Sequence, residues 1–332
     1  MALTSFTRAQ LEKLVAAVDG LRARDEKNYY NQSLRIDAIS SMLEEVAKMI
    51  QRPTSRYPRD PTDIDDSTGH PDARLTSTDV RKLSEIISQA LLSSQQLSRE
   101  QRILASLDFK ARTHREAAIA EAHHSSCEWA FRTSFSQWLQ NQSGIFWISG
   151  KAGSGKSTWM KHIHCHPTTK RLLRNWASPK PAVDASWFFW HAGSQMQKSL
   201  QGLLRSLLYD IFRECPSIIL DSTLGRWFDL DRISADKKWS MPELLETLRT
   251  IGNCKTLPVK FCFFIDGLDE YHGEHIEFCE LARDLVELGN IKLCLSSRPW
   301  AVFELHLQTR WRENSISMST RGTTSRYLQK VV

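Results

Sequence analysis

The sequence predicts an α/β fold, a mostly parallel sheet flanked by helices and preceded by an α-helical N-terminal region. Three observations predict it. Beyond about residue 126, short apolar runs rich in aromatic and β-branched residues alternate with amphipathic stretches of helical period. A glycine-rich run at 150–158 lies between one such strand and one such helix. Composition also changes near residue 126, and every tryptophan and cysteine lies beyond that point.

The first part of the chain reads as helical and polar. Thr7, Arg8, Ala9 and Gln10 have capping-box form, and Leu11, Leu14, Val15, Val18 and Leu21 follow on one helical face. Leu34, Ile36, Ile39, Leu43, Val46 and Ile50 mark a second helix. Residues 52–76 hold four prolines and an acidic cluster at Asp63, Asp65 and Asp66, the composition of a disordered linker. Val80, Leu83, Ile86, Ile87 and Leu91 give a third helix. Ser98, Arg99, Glu100 and Gln101 form a second capping box, which opens a helix through Ile103, Leu104 and Leu107. These stripes suit a small bundle or coiled-coil contact, hence protein partners and a possible oligomer. No catalytic constellation precedes residue 126. The expected organisation is a helical region at 1–51, the linker at 52–76, a helical segment at 77–125, an α/β core at 126–312, and an irregular, truncated tail at 313–332.

In the core, Ile145, Phe146, Trp147, Ile148 and Ser149 read as a buried strand, and Trp159, Met160 and Ile163 as the helix after the glycine run. Residues 185–190 read as a strand. Residues 199–212 form a strongly amphipathic helix through Leu200, Leu203, Leu204, Leu207, Leu208 and Ile211. Residues 241–251 form another, with Ser240 as N-cap and Pro242 in the first turn. A strand from Lys260 ends at Asp266, a helix covers 276–288, and a strand from Ile291 ends in Ser296, Ser297, Arg298, Pro299 and Trp300. Residues 313–326 are rich in serine and threonine and carry neither period.

The chemistry gathers in three places. Gly150, Lys151, Ala152, Gly153, Ser154, Gly155, Lys156, Ser157 and Thr158 fit G-x-x-x-x-G-K-[ST], a phosphate-binding loop. Glycines let successive N–H groups curl around an anion, and the next helix aims its positive end at it. Lys156 is placed for the β- and γ-phosphates and the Ser157 hydroxyl for Mg²⁺. Asp266, at a strand end, is the expected Mg²⁺ carboxylate in the Walker B role. Asp269 and Glu270 are candidates to orient or deprotonate water. Arg298, at the carboxyl end of the last strand, is a candidate sensor of the γ-phosphate. A P-loop NTPase core with ATP or GTP and Mg²⁺ as its ligands follows.

Other readings are narrower. Net charge is +6 and spread along the chain, so no nucleic-acid surface is expected. No run reaches membrane-helix length, and the N-terminus has no signal-peptide core. The cysteines are scattered and read as reduced thiols, which with the missing signal favours the cytoplasm. His162, His164 and His166 surround Cys165 and invite a metal, but they are read as the cationic close of the helix, which Pro167 ends.

Residues 102–304 resemble the NACHT-type signal-transducing ATPases of filamentous fungi, related to NOD-like receptors and close to the nephrocystin-like N-terminal module. The resemblance rests on 103–109 (ILASLDF), Arg115 with Ile119, 128–131 (EWAF) and 144–158 (GIFWISGKAGSGKST). It continues through 197–199 (QKS), 202–209 (GLLRSLLY), 264–271 (FIDGLDEY) and 296–300 (SSRPW). The acidic pair after Asp266 and Gly267 is a mark of the class. The resemblance implies a nucleotide-controlled switch, open with triphosphate and closed with diphosphate, acting in fungal signalling or non-self recognition. Slow hydrolysis by water is expected. The winged-helix region and sensor repeats usual in members have no counterpart in this sequence. The alternative is a non-enzymatic adaptor or decoy acting through its first helices. A small-molecule kinase or nucleic-acid motor is a third reading, without a lid or coupling motif to support it.

Overall fold

A computed structural model of the chain describes residues 2–25, 30–51, 77–122, 128–140, 144–230, 238–253, 259–308 and 315–318. The expected linker at 52–76 and most of the tail at 313–332 lie outside the described residues. Contacts divide the chain into two compact units, Met1–Arg102 and Ile103–Val332.

The first unit is helical. It contains α1 (Ala2–Asp25), α2 (Tyr30–Gln51) and most of α3 (Ser77–Leu107). Leu14, Val18 and Leu21 of α1 pack with Ile36, Ile39 and Leu43 of α2 and with Ala90 and Leu97 of α3. Val46 and Met49 of α2 form a second cluster with Leu83 and Ile87 of α3. The stripes are wider than the buried seam, since Val15, Leu34, Ile50 and Leu91 are exposed. Both capping boxes lie inside helices: α1 begins before Thr7, and α3 runs unbroken through Ser98. The residue that would close the Ser98 box is Gln101, whose amide donates instead to the Leu21 carbonyl at 3.3 Å, and the neighbouring Glu100 carboxylate is turned to α2. It accepts a fork from Arg35 at 2.5 and 3.1 Å and a bond from the Gln96 amide at 3.0 Å.

The second unit is α/β. Its elements are α4 (His114–Ala118), α5 (Ser134–Gln140), β1 (Gly144–Gly150), α6 (Lys156–Cys165), α7 (Pro167–Ala177) and β2 (Ala182–Phe188). Then come α8 (Leu200–Glu214), α9 (Ile219–Ser222), α10 (Leu224–Asp229), α11 (Met241–Asn253), β3 (Lys260–Asp266), α12 (His275–Glu287), β4 (Ile291–Ser297), α13 (Ala301–Phe303) and β5 (Ser315–Met318). The five strands form one sheet in the order β2-β3-β4-β1-β5, with every pairing parallel. Phe146, Ile148, Cys262, Phe264 and Cys294 face a cluster with Phe135 and Trp138 of α5 and Trp159, Met160 and Ile163 of α6. The alternate residues Trp147, Phe261, Phe263, Leu293 and Leu295 are buried as well. Burial on both faces of a parallel sheet produces the continuous apolar runs of these strands.

Local signals explain several boundaries. The α11 start is a capping box: the Ser240 hydroxyl accepts from Glu243 N at 3.3 Å, and the Glu243 carboxylate accepts from Ser240 N at 3.4 Å. Pro167 does end α6, and it also opens α7, an unforeseen helix. His166 joins the two by accepting from Thr168 N at 3.1 Å. β2 starts three residues before the expected 185–190 strand and stops at Phe188.

The largest departure from the sequence reading is β5, within the expected irregular tail. It pairs with β1, Trp147 opposite Ser315 and Gly150 opposite Met318. Its signal is short: Ile316 and Met318 are buried and alternate with serines, a period-two pattern only four residues long. Among the described residues no helix is long and apolar enough to cross a membrane.

Candidate functional site

All parallel strands end on the same side, so the loops after β1, β3 and β4 open onto one region. The sequence-predicted site residues lie in those loops or begin the helix after β1.

The loop after β1 starts at Gly150, where an added Cβ would lie 2.6 Å from Ser154 Oγ and 3.0 Å from the Met318 carbonyl. The loop therefore folds tightly against itself and against β5. Gly153 and Gly155 take φ of 73° and 86°, a conformation that favours glycine. Ser154 Oγ is buried with no hydrogen-bond partner among the described residues. Lys151 and Ala152 are exposed on the loop, and Ser157 and Thr158 lie in the first turn of α6. Lys156 bends back over the loop, its ammonium donating to the Gly150 carbonyl at 2.6 Å and the Lys151 carbonyl at 3.0 Å. Burial lowers the pKa of Lys156, and the charges of Asp269 and Asp266 oppose that fall.

Asp266 ends β3 and is 1% exposed. Burial raises its pKa, while hydrogen bonds from the Ser157 and Ser296 hydroxyls and the Lys156 charge work the other way. Ser296 donates to Asp266 Oδ1 and accepts from Gly267 N at 3.1 Å, which fixes the carboxylate between β3 and β4. Ser157 and Asp266, the two residues expected at a metal, thus meet directly. Gly267, at φ 74°, turns the chain so that Leu268 is buried while Asp269 and Glu270 face the site.

The two following carboxylates part company. Asp269 accepts from Arg298 twice, from the backbone N–H at 3.0 Å and from Nε at 2.8 Å. Asp269 is nearly covered, its side chain 5% exposed, whereas Arg298 is 47% exposed. Glu270 Oε2 instead accepts the backbone N–H of His191 at 2.7 Å. The structure therefore brings Lys156, Ser157, Asp266, Asp269, Glu270 and Arg298 to one end of the sheet. Sequence reading missed Ser296, the His191 backbone and Met318. Ser296 had a signal in the polar end of its strand. The other two act through backbone or through an edge pairing, which leave no mark on residue type.

These residues fit a magnesium polyphosphate. An orphaned hydroxyl in a glycine loop, a lysine over that loop and a buried carboxylate bonded to a serine make a donor set that suits phosphate oxygens and a hard cation. The family model described as nephrocystin 3, N-terminal, matches residues 125–298, just over half of the chain. No curated protein and no solved structure matches the chain. The match covers the glycine loop, Asp266, both following carboxylates and Arg298, and the chain belongs to the nephrocystin 3 N-terminal family.

Proposed function

We propose that the chain is a P-loop nucleoside-triphosphate-binding switch of the NACHT/STAND kind, with slow hydrolysis, acting in fungal signalling or non-self recognition in the cytoplasm. One observation carries the reading: the glycine loop with Lys156, the Ser157–Asp266 pair and the Asp269–Arg298 pair converge at the carboxyl end of one parallel sheet. The loop from Gly150 to Thr158 would hold the phosphates of ATP or GTP through backbone N–H groups. Lys156 would donate to the β- and γ-phosphates. Ser157 and Asp266 would hold Mg²⁺, which supplies neutralisation of phosphate charge. Glu270 orients and deprotonates the attacking water in this reading, because both Asp269 oxygens already serve Arg298. Asp269 then positions Arg298 towards the γ-phosphate, where its charge stabilises the transition state.

The test is direct. Purified protein should bind a fluorescent triphosphate with about micromolar affinity in Mg²⁺, and the nucleotide it retains should be identified by mass. Lys156→Ala should lose binding while keeping the thermal melt of the wild type. Equal binding by the variant would refute the assigned site.

A second reading has its own support. The first unit builds its own core and still exposes Leu34 and Leu92 at 56% and 66%. That favours an adaptor binding protein partners through its helices. Phosphate release by wild type but not Glu270→Gln supports the switch; none by either supports the adaptor.

A further inference from the structure

The three-histidine run around Cys165 is not absorbed by the nucleotide site. His164 and Cys165 end α6, the helix that begins at Lys156, at the opposite end from the glycine loop. Glu116 of α4 comes up beside them. His164 Nδ1 lies 4.0 Å from Cys165 Sγ and 3.9 Å from Glu116 Oε1, and the three ligand atoms fall within 4.8 Å of one another. The other ring nitrogen, Nε2, is 2.8 Å from Asp184 Oδ2 of β2. Lys170 holds the same carboxylate oxygen, and the Phe264 ring packs 5.2 Å from the imidazole. A pocket of about 190 Å³ opens beside Glu116 and His164, where Arg112, Arg115 and Arg213 line it together with Asp210, and Cys165 lies outside that lining.

We propose that Glu116, His164 and Cys165 form a binding site for a borderline divalent cation of the zinc class, with Asp184 as the outer carboxylate that fixes the imidazole. The ligand set is the argument. A thiolate, an imidazole and a carboxylate together suit zinc-class metals and not magnesium or calcium. Zn–N of about 2.0 Å and Zn–S of about 2.3 Å at a tetrahedral angle put nitrogen and sulfur about 3.5 Å apart. The observed 4.0 Å needs a closure of about 0.5 Å, within reach of a side-chain adjustment on an exposed cysteine. A metal-bound histidine usually gives its second N–H to a carboxylate, the arrangement that Asp184 provides. Cys165 is exposed, so solvent supplies the fourth ligand and the site has the open form rather than the closed structural form. On binding, the Cys165 thiol and the His164 Nδ1–H each release a proton to solvent, which frees a thiolate and the Nδ1 lone pair while Nε2–H stays on Asp184.

The competing state is a purely protein one. Burial works against a charged His164 ring, but the hydrogen bonds and charge of Asp184 raise its pKa to about 9. Without metal the ring is therefore a cation between Asp184 and Glu116. The proposal stands independently of nucleotide binding.

Co²⁺ titrated into the chelator-stripped full-length protein tests it. Cobalt bound by a cysteine thiolate gives a near-ultraviolet charge-transfer band. The wild type should saturate at one equivalent with that band. Cys165→Ser should abolish the band without changing the melt, since Cys165 is exposed. Glu116→Gln and Asp184→Asn should each weaken binding by about 10- to 100-fold. Zn²⁺ should displace the cobalt. No band at 1:1 stoichiometry, or an unchanged band in Cys165→Ser, would overturn the proposal and leave His164 as an ion-paired tether between α6 and β2.

Discussion

Lys156 lies beyond the carboxyl end of β1 and Lys292 near the amino end of β4, so one parallel sheet carries a buried or half-buried lysine at each end. Burial lowers the pKa of both. Their neighbours differ. Lys156 is flanked by Asp269, Asp266 and Glu270 and is open to solvent in part. Lys292 is 0% exposed, and the charges that act on it besides burial are those of Cys262 and Lys260 rather than of carboxylates. It donates instead to the Trp138 and Leu139 carbonyls, at 2.8 and 3.0 Å, near the end of α5. Its ammonium also lies over the Trp138 and Trp176 rings at 4.9 and 4.0 Å. A lysine among carboxylates at a solvent-facing strand end is available to a ligand anion. A lysine sealed among carbonyls and indoles is committed to holding α5 on the sheet.

Swapping the same change between the two sites breaks or sharpens this contrast. Lys156→Met should weaken triphosphate binding at least a hundredfold, about 3 kcal/mol, with little effect on urea stability. Lys292→Met should leave binding within about twofold. Its signature is in pH. Burial pushes Lys292 down to about 7 from 10.5, with Lys260 adding to the fall and Cys262 opposing it. Between those values the unfolded chain binds the proton and the folded chain does not, so stability rises with pH. Below pH 7 the full cost of the buried charge is present. Wild-type stability relative to Lys292→Met should therefore climb by about 2 kcal/mol from pH 7 to pH 9. A flat difference would show that the carbonyls and indoles keep the lysine charged throughout.

The carboxyl-end chemistry yields two smaller effects. Glu270→Gln should cut phosphate release at least about tenfold with binding unchanged, measured in single-turnover assays. Loss of binding instead would give Glu270 a structural role through His191. The Asp269–Arg298 pair should show a coupling of about 1 kcal/mol in a double-mutant cycle of Asp269→Asn and Arg298→Ala, read from urea melts. Coupling near zero would mean that Arg298 rests on Asp269 without being held by it.

Much of this end of the molecule was legible in local pattern. The spacing from Gly150 to Lys156 needs only a strand before it and a helix after it, and both have strong periodic signals. Lys292 was invisible for the same reason. It sits inside an apolar strand run, and a single cation there reads as an exception until the strand is seen buried on both faces. The Ser98 capping box misled because a four-residue motif cannot report that α3 carries enough packing to pass through it. β5 was missed because four alternating residues among serines fall below what periodicity can separate from chance.

By itself the sequence determined the class of the second unit, the kinds of its main elements and the donor set of the glycine loop, because those follow from neighbours within about one helical turn or one strand. Only the tertiary structure decided which carboxylate serves Arg298, that His191 steadies Glu270, that Ser157 meets Asp266 and that Asp184 fixes His164. Those choices depend on strand order and register, which bring together residues up to about a hundred positions apart. Residue type fixes what a side chain can do; the fold fixes which partner it reaches first.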